Sequence, residues 1–478
     1  MSVRRYVANK DTTITNAYKD NLTTRATSAN MGVSDILEVF SIYGQATTSS
    51  LEASRMLLQF PVTDIISDRA NKKIGVSGST QFILKLSNAA HGDSTPNNFN
   101  LIISPVSSSW TEGTGLDMET YLDVGPANWL SSSINQAWST QGGDFLSSSL
   151  YVQNFDTGFE DLEIDITSLV EGWISGTTAN NGVGIRLTGS QESTQDSYYT
   201  KKFFARGSEF FFKRPWIESR TNDFFLDSRD NFIISSSLLS AIDNLNTVVL
   251  YNRFKGQLKN VPAIGTGSNL YVSLYAGITG PVAPALVLHN GATKIQAGFY
   301  KTGIYTASIG INTTSSYLFD VWFSGSTAEN SSSMVFATGS VIYTKDYDAS
   351  FNNQSPEYVL SINNIKSSYS TNEQPRFKIF ARDKNWNPNI YSVASGEIEN
   401  TVIDNLFYKI IRIQDNLQVV TYGTGSFEHT KTSYDKDGNY FDLNMDLFEK
   451  DYSYGIKFGY KFGEDFNEFK EVFKFRVE

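Results

Sequence analysis

DITSLVEGWISGTTANNGVGIRL, residues 165–187, joins a helix-sized motif carrying a tryptophan to an Asn-Gly turn and a strand. Ser168 precedes Glu171 by three residues, the spacing of a capping box, and Leu169, Val170 and Trp173 fall on one helical face. Gly176 is placed to stop the helix, and Asn181-Gly182 provides a turn that feeds VGIRL. Just upstream, DLEIDI (161–166) alternates Leu162, Ile164 and Ile166 with Asp161, Glu163 and Asp165. A strand, a one-to-two-turn helix and a second strand predict a short helical plug at the end of a β-sandwich, with Trp173 as its apolar face.

Outward from this motif the chain keeps a strand rhythm. LEVFSIYG (37–44), SRMLLQFPV (54–62), STQFILKLS (79–87) and NLIISPV (100–106) read as strands between clusters of Gly, Ser, Asn and Asp. Residues 107–150 are serine-rich and hold Trp110, Trp129 and Trp138 in long loops, where the rings are expected to lie on the sandwich and seal its edges. KKFFARGSEFFFKRPW (201–216) reads as one strand buried on both faces and ended by proline.

At 478 residues the chain is long enough for two to four domains, and 40% hydrophobic content supplies packed cores. A 14% aromatic share favours pleated, half-buried surfaces. The net charge of −11 repels a phosphate backbone, so nucleic acid is not an expected partner. No cysteine is present, which removes disulfides and Cys-based zinc sites. MSVRRYVANKDTT lacks the apolar run of a secretory leader, and no stretch is apolar enough to span a membrane.

The expected organisation is a polar arm (1–18), a first domain (19–220), a linker (221–246), a second β domain (247–355) and a third (356–478). TGSVIYTKDYD (338–348) and TGSFEHTKTSYD (424–435) echo one another, through kinship of the last two domains or through coincidence.

Catalytic constellations are missing from the pattern. His91, His289 and His429 are far apart, and none sits in an HExxH motif; each is expected in a turn or on a strand surface. There is no Gly-Lys dipeptide for a P-loop and no GxGxxG after a strand, so no cofactor is expected. Glu160, Asp161, Glu163 and Asp165 read as a solubilising strand face, with a calcium site shared with neighbouring loops as the alternative. DKDGNYFD (435–442) breaks EF-hand spacing and reads as a hairpin turn, so no metal ligand is assigned. Two basic groups are candidates for docking an acidic neighbouring subunit: Arg4 and Arg5 in the arm, and Lys201, Lys202, Arg206, Lys213 and Arg214; strand-edge protection is the other reading of the second group.

DTTI (Asp11 to Ile14), SRMLLQF (Ser54 to Phe60), SSSWTEG (Ser107 to Gly113), IDITSLVEGWISG (Ile164 to Gly176) and NNGVGIRL (Asn180 to Leu187), in this order, resemble the DNRLRE-type jelly-roll domain. That resemblance implies a jelly roll over about residues 10–220, of a kind appended to bacterial surface proteins and in some cases binding carbohydrate. GIYTASIGI with FDVWFSG (Gly303 to Gly325), PRFKIFARDKNWNPNIYSVAS (Pro375 to Ser395), YDKDGNYFDLNMDLFE (Tyr434 to Glu449) and EVFKFRVE are similar to virion structural proteins of large contractile-tailed phages, particularly marine cyanobacterial ones. This second resemblance implies a protein made in a host cytoplasm, assembled into particles without a signal peptide and released by lysis.

The expectation is therefore an all-β chain: an N-terminal jelly-roll sandwich followed by two smaller antiparallel, Ig-like sandwiches. Its expected role is that of a non-enzymatic, multi-copy virion component in the neck, collar or tail, with other virion proteins and further copies as partners. The alternative is a carbohydrate-binding attachment protein in which Trp110, Trp129 or Trp138 stacks on a host-surface glycan.

Overall fold

The computed structural model describes residues 3–92, 97–148, 150–347, 356–387 and 400–478. Residues 348–355, which precede the expected start of the third domain, and 388–395 of the PRFKIFARDKNWNPNIYSVAS segment lie outside the described residues. The chain is all-β. In order, the first region places β1 (Val3–Val7), β2 (Lys10–Thr15), β3 (Ile36–Tyr43), β4 (Leu51–Gln59), helix α1 (Val62–Ala70), β5 (Thr80–Leu86), β6 (Phe99–Pro105), β7 (Ser131–Ser133), β8 (Gln136–Ala137), β9 (Tyr151–Phe155), β10 (Leu162–Asp165), helix α2 (Thr167–Ser175), β11 (Val183–Leu187), β12 (Tyr198–Phe204) and β13 (Trp216–Thr221). One antiparallel sheet runs β1-β13-β5-β10; the other runs β12-β3-β4-β11-β6-β9, with β2 added on β4. Their inner faces share one core that includes Met56, Phe82, Leu84, Leu101, Phe155 and Ile185.

Helix α2 closes that core through Leu169, Val170 and Trp173, and Gly176 ends it in the left-handed conformation at φ 76°. Its start differs from the expected capping box. The Thr167 amide donates to Asp165 Oδ1 at 2.8 Å, the Ser168 hydroxyl bonds Tyr151 at 2.6 Å, and Glu171 takes a bidentate pair with Arg69 of α1 at 2.6 and 2.7 Å. Packing against α1 and the sheet puts long-range partners closer to these side chains than their own helix terminus.

The expected polar arm is instead sheet. β1 pairs with β13, Arg4 opposite Ser219 and Arg5 opposite Glu218, and β2 pairs with β4. Asp11, Thr12, Thr13 and Thr15 are all buried, because both faces of this strand are covered and their polar groups are bonded inside. The segment 201–216 is also not one strand: β12 ends at Phe204, a 3-10 turn covers Phe211–Lys213, and β13 starts in the opposite sheet.

The stretch 221–246 was expected to be linker, yet Phe232–Ile233 is a strand, and Phe232 is fully buried in the second core. That core takes Val248, Leu274, Tyr305, Trp322 and Ile342, between a six-stranded and a three-stranded sheet. The third core, with Phe377, Tyr408, Phe441, Tyr454, Phe458 and Phe475, lies between sheets of four and six strands and also takes in Val3, Phe212 and Trp216 from the first region. Neither smaller sandwich is wholly antiparallel: Phe232 pairs in parallel with Thr344, and Ser368 with Arg476. The TGS echo does not fall on equivalent elements. Ile342–Lys345 borders Tyr317–Ser324 in the six-stranded sheet of its domain, whereas Ser433–Asp435 closes a hairpin in the four-stranded sheet of the other.

Candidate functional site

The three loop tryptophans are not available to a ligand. Trp110, Trp129 and Trp138 are buried in a second layer with Ile14, Ala53, Leu57 and Val106. β4 makes this layer possible. Met56 and Leu58 point into the main core while Ala53 and Leu57 point out under the loop, so the strand is covered on both faces. Trp110 Nε1 donates to the Asn181 carbonyl at 2.9 Å and Trp138 Nε1 to that of Asn128 at 2.8 Å, so both indoles have their polar edge satisfied. Arg55 lies over Trp129, 5.0 Å from the ring centre, and bonds Glu192 and the Gly142 carbonyl.

The glycines of NNGVGIRL belong to the same lock. Gly182 has φ 83°, and a Cβ there would lie 2.0 Å from the Leu58 carbonyl oxygen. At Gly184 a Cβ would lie 1.9 Å from the Phe145 ring, which packs against the tryptophan layer.

The basic candidates for docking another subunit turn inward. Arg4 is buried between Asp68 of α1 and Asp446 of the third domain. Burial raises the Asp68 carboxyl, but Arg4 outweighs it and holds the group below its usual range. Arg5 pairs with Glu218 at 2.9 Å, stacks 4.5 Å from the Trp216 ring centre and donates to the Val419 carbonyl. Glu218 is pushed up by burial, yet Arg5, Lys85 and Arg220 together hold it far below the ordinary carboxylate range. These contacts sew the first strand to the third domain.

Lys201 is buried. Its ammonium donates to Asn88 and to the carbonyls of Gly158 and Glu160 at 2.6–2.9 Å, and burial lowers it to about 8. Lys202 pairs with Glu38 at 2.9 Å, and Arg206 holds Glu112 through two bonds of 2.6 and 2.7 Å. Arg214 donates to the Ser208 carbonyl at 2.8 Å. Lys213 lines a cleft of about 210 Å³ between the first and third domains, beside Arg5, Trp216 and Glu218. Neither the docking reading nor the strand-edge reading describes the buried members: they are internal fasteners, and alternation in sequence did not reveal how the sheets stack.

The acidic strand face is likewise spoken for. Glu160 accepts from Thr157, Asp161 from the Asn88 amide, Glu163 pairs with Arg220, and Asp165 accepts from Gln81. Among the described residues no three His, Cys, Asp or Glu side chains gather as a metal site. His429 lies in a turn, as expected, but is buried there at the joint of the first and third domains, and burial lowers it to about 4.

A second joint links the middle domain to the third. Leu226 bridges to Tyr434, the Phe225 amide donates to Ser433 at 3.0 Å, and Asp227 and Phe225 exchange backbone bonds with Tyr434. Arg229 binds both Asp227 and Asp320 beneath an open cleft of about 450 Å³ lined by Arg253, Arg376, Asp435, Lys436 and Asp437. Burial raises Asp227 to about 6. Asp320 is fully buried and held by Trp322 Nε1 as well as Arg229, so the two carboxylates flank a guanidinium and do not face each other across solvent. Sequence reasoning missed this joint because its residues are separated by about two hundred positions.

No helix among the described residues is long and apolar enough to cross a membrane. No known family model matches the chain, and no curated protein matches it. Among solved structures it is similar to the adhesin InvE of Yersinia pseudotuberculosis, at 11% identity and a TM-score of 0.17 over 51% of this chain and 56% of that one. The chain therefore spans little more than half the length of that adhesin. It is also similar to a tetra-tandem repeat from the extending region of a large adhesion protein (8% identity, TM-score 0.14, 98% and 99% covered) and to native Escherichia coli alpha-2-macroglobulin (7%, 0.15, 94% and 20%). Likeness at these TM-scores carries no inference about what the chain does.

Proposed function

We propose that the chain is a non-enzymatic structural component of a tailed-phage virion, docked on the particle in several copies at the neck, collar or tail. The observation that supports this reading best is the bracing of the three sandwiches. β1 crosses into the third core through Val3 while Arg4 and Arg5 bind Asp446 and the Val419 carbonyl, and residues 225–231 fasten the middle domain to Tyr434 and Asp404. Domains joined by buried charge and shared apolar packing move little against one another, which suits a part under mechanical load better than a string of independent binding modules. Burial of Trp110, Trp129 and Trp138 removes the stacking surface of the glycan-binding alternative, so host attachment would have to use other residues.

Gold-labelled antibody against the chain, applied to particles from a lysate, tests the reading. Label at a fixed place on the particle is the expected result. A chain that stays soluble and never co-purifies with particles overturns it.

A further inference from the structure

Residues 86–185 contain no Lys or Arg, although they carry many carboxylates. Within them, the loop at 116–124 presents Tyr121, 67% exposed, and Val124, 69% exposed, beside Leu116 and Leu122. The tip is pre-shaped. Asp117 accepts from the amides of Glu119, Thr120 and Tyr121 at 2.8–3.0 Å, Leu116 donates to the Tyr121 carbonyl at 2.9 Å, and Asp123 accepts from Thr114 at 2.7 Å. An apolar tip rimmed by Asp117, Glu119 and Asp123 fits a surface that is aromatic and basic.

The chain offers such a surface. At the junction of the first and middle domains a cleft of about 420 Å³ is lined by Lys72, Lys73, Phe299, Tyr300 and Lys301. A two-residue hairpin with Lys255 at φ 50° and Gly256 at φ 79° packs against the turn at Gly303, just beyond Lys301 of that cleft in the chain. Phe254 is exposed on that hairpin, with the ammonium groups of Lys255 and Lys259 5.6 and 5.1 Å from its ring centre. Lys72, Lys255, Lys259 and Lys301 form no ion pair among the described residues. In a chain of net charge −11 this is a local reversal of sign.

Among the described residues no hydrogen bond, ion pair or ring contact joins the acidic tip to the basic junction. We propose that they meet between copies: the 116–124 loop of one molecule docks on the Phe254, Tyr300 and lysine surface of the next. Because the two surfaces differ, the contact is head-to-tail and propagates as a ring or an open row. The inference rests on the multi-copy reading above and names the partner as a second copy.

Sedimentation velocity of the full chain in low-salt buffer tests it with two variants that spare the buried fasteners, Lys255→Glu/Lys259→Glu and Tyr121→Ser/Val124→Ser. The wild type is expected to assemble with concentration and to dissociate as salt rises, and each variant is expected to associate about tenfold more weakly. Mixing the two variants pairs the intact loop of one with the intact lysine surface of the other and should yield dimers that grow no further. A wild type that stays monomeric, variants that assemble as it does, or a mixture without dimers overturns the proposal. So does unchanged assembly of Lys255→Glu/Lys259→Glu with lost binding to phosphatidylserine vesicles, which assigns the lysines to lipid. Assembly in solution without label on particles leaves this contact standing and removes the virion reading; label on particles with unaffected variants does the reverse.

Discussion

The middle and C-terminal sandwiches share a plan, with an early strand laid parallel to the last one, but they meet water differently. The middle domain leaves Leu238, Ile242, Phe254, Ile278, Val282 and Val287 each more than half exposed. Among the described residues of the C-terminal domain, the large apolar side chains left exposed are Val359 and Phe466, at 41% and 39%. The difference follows from position in the joints. The C-terminal domain receives β1, Phe212, Trp216 and residues 225–231, so its apolar and charged surfaces are already covered from within the chain. The middle domain meets the third through residues 225–231 and keeps more of its apolar surface open. One sandwich is the hub, and the other is the outward face.

Breaking the hub has the largest expected effect. Phe475→Ala in the third core and Trp173→Ala in the helical plug each remove a buried ring and should cost about 3–5 kcal/mol, read from urea denaturation. An exposed, tolerant Trp173 would contradict the plug. Arg5→Met leaves Glu218 buried with fewer cations and should cost about 3 kcal/mol. Calorimetry is expected to show the third domain melting apart from the first, and a single unchanged transition would mean that β1 does not couple them.

Acid acts on the same joint. His429 is held near 4, below the 6.5 of an unfolded imidazole, so the unfolded chain binds the extra proton between these values. Stability is therefore lost as pH falls from 6.5 to 4, by about 3 kcal/mol for this group. Glu218, whose carboxyl is depressed, contributes stability above its unfolded value of 4.5 that is lost as pH falls below it. Asp11, raised by burial to about 7, acts oppositely and costs stability as pH rises from 3.8 towards 7. His429→Gln isolates the first term, and a pH profile unchanged by it would exclude His429 as the sensor.

Gly184→Ala should cost about 1–3 kcal/mol, because its Cβ meets the Phe145 ring and loosens the tryptophan layer, read as a rise in tryptophan quenching by acrylamide. The smallest effect belongs to the outward face. Ile278→Ser is expected to change stability by less than about 0.5 kcal/mol, and a loss above about 1 kcal/mol would mean that the middle domain is packed as tightly as the hub.

Much of the local structure was legible in residue order. LEVFSIYG, STQFILKLS and NLIISPV alternate or run apolar as strands do, and each falls on a strand. Gly176 ends the helix it was expected to end, and the hairpin of DKDGNYFD forms between Ser433–Asp435 and Gly438–Asp442. These features depend on neighbours a few positions away, so the period of the side chains and the φ freedom of glycine were enough.

The candidate site was not legible in that way. VRRYV and KDTTIT read as polar, yet they are buried strands, because Arg5 finds Glu218 and Asp11 finds the Arg206 amide across about two hundred residues. Whether a tryptophan faces a sugar or a second layer of core, and whether a lysine docks a partner or holds three acceptors of its own chain, depends on which faces are covered. Local periodicity and turn residues determined that this chain is built of strands and where many of them run. Tertiary structure alone decided which charges are fasteners and which surfaces remain open, since burial and pairing arise from contacts between segments that the order of residues leaves far apart.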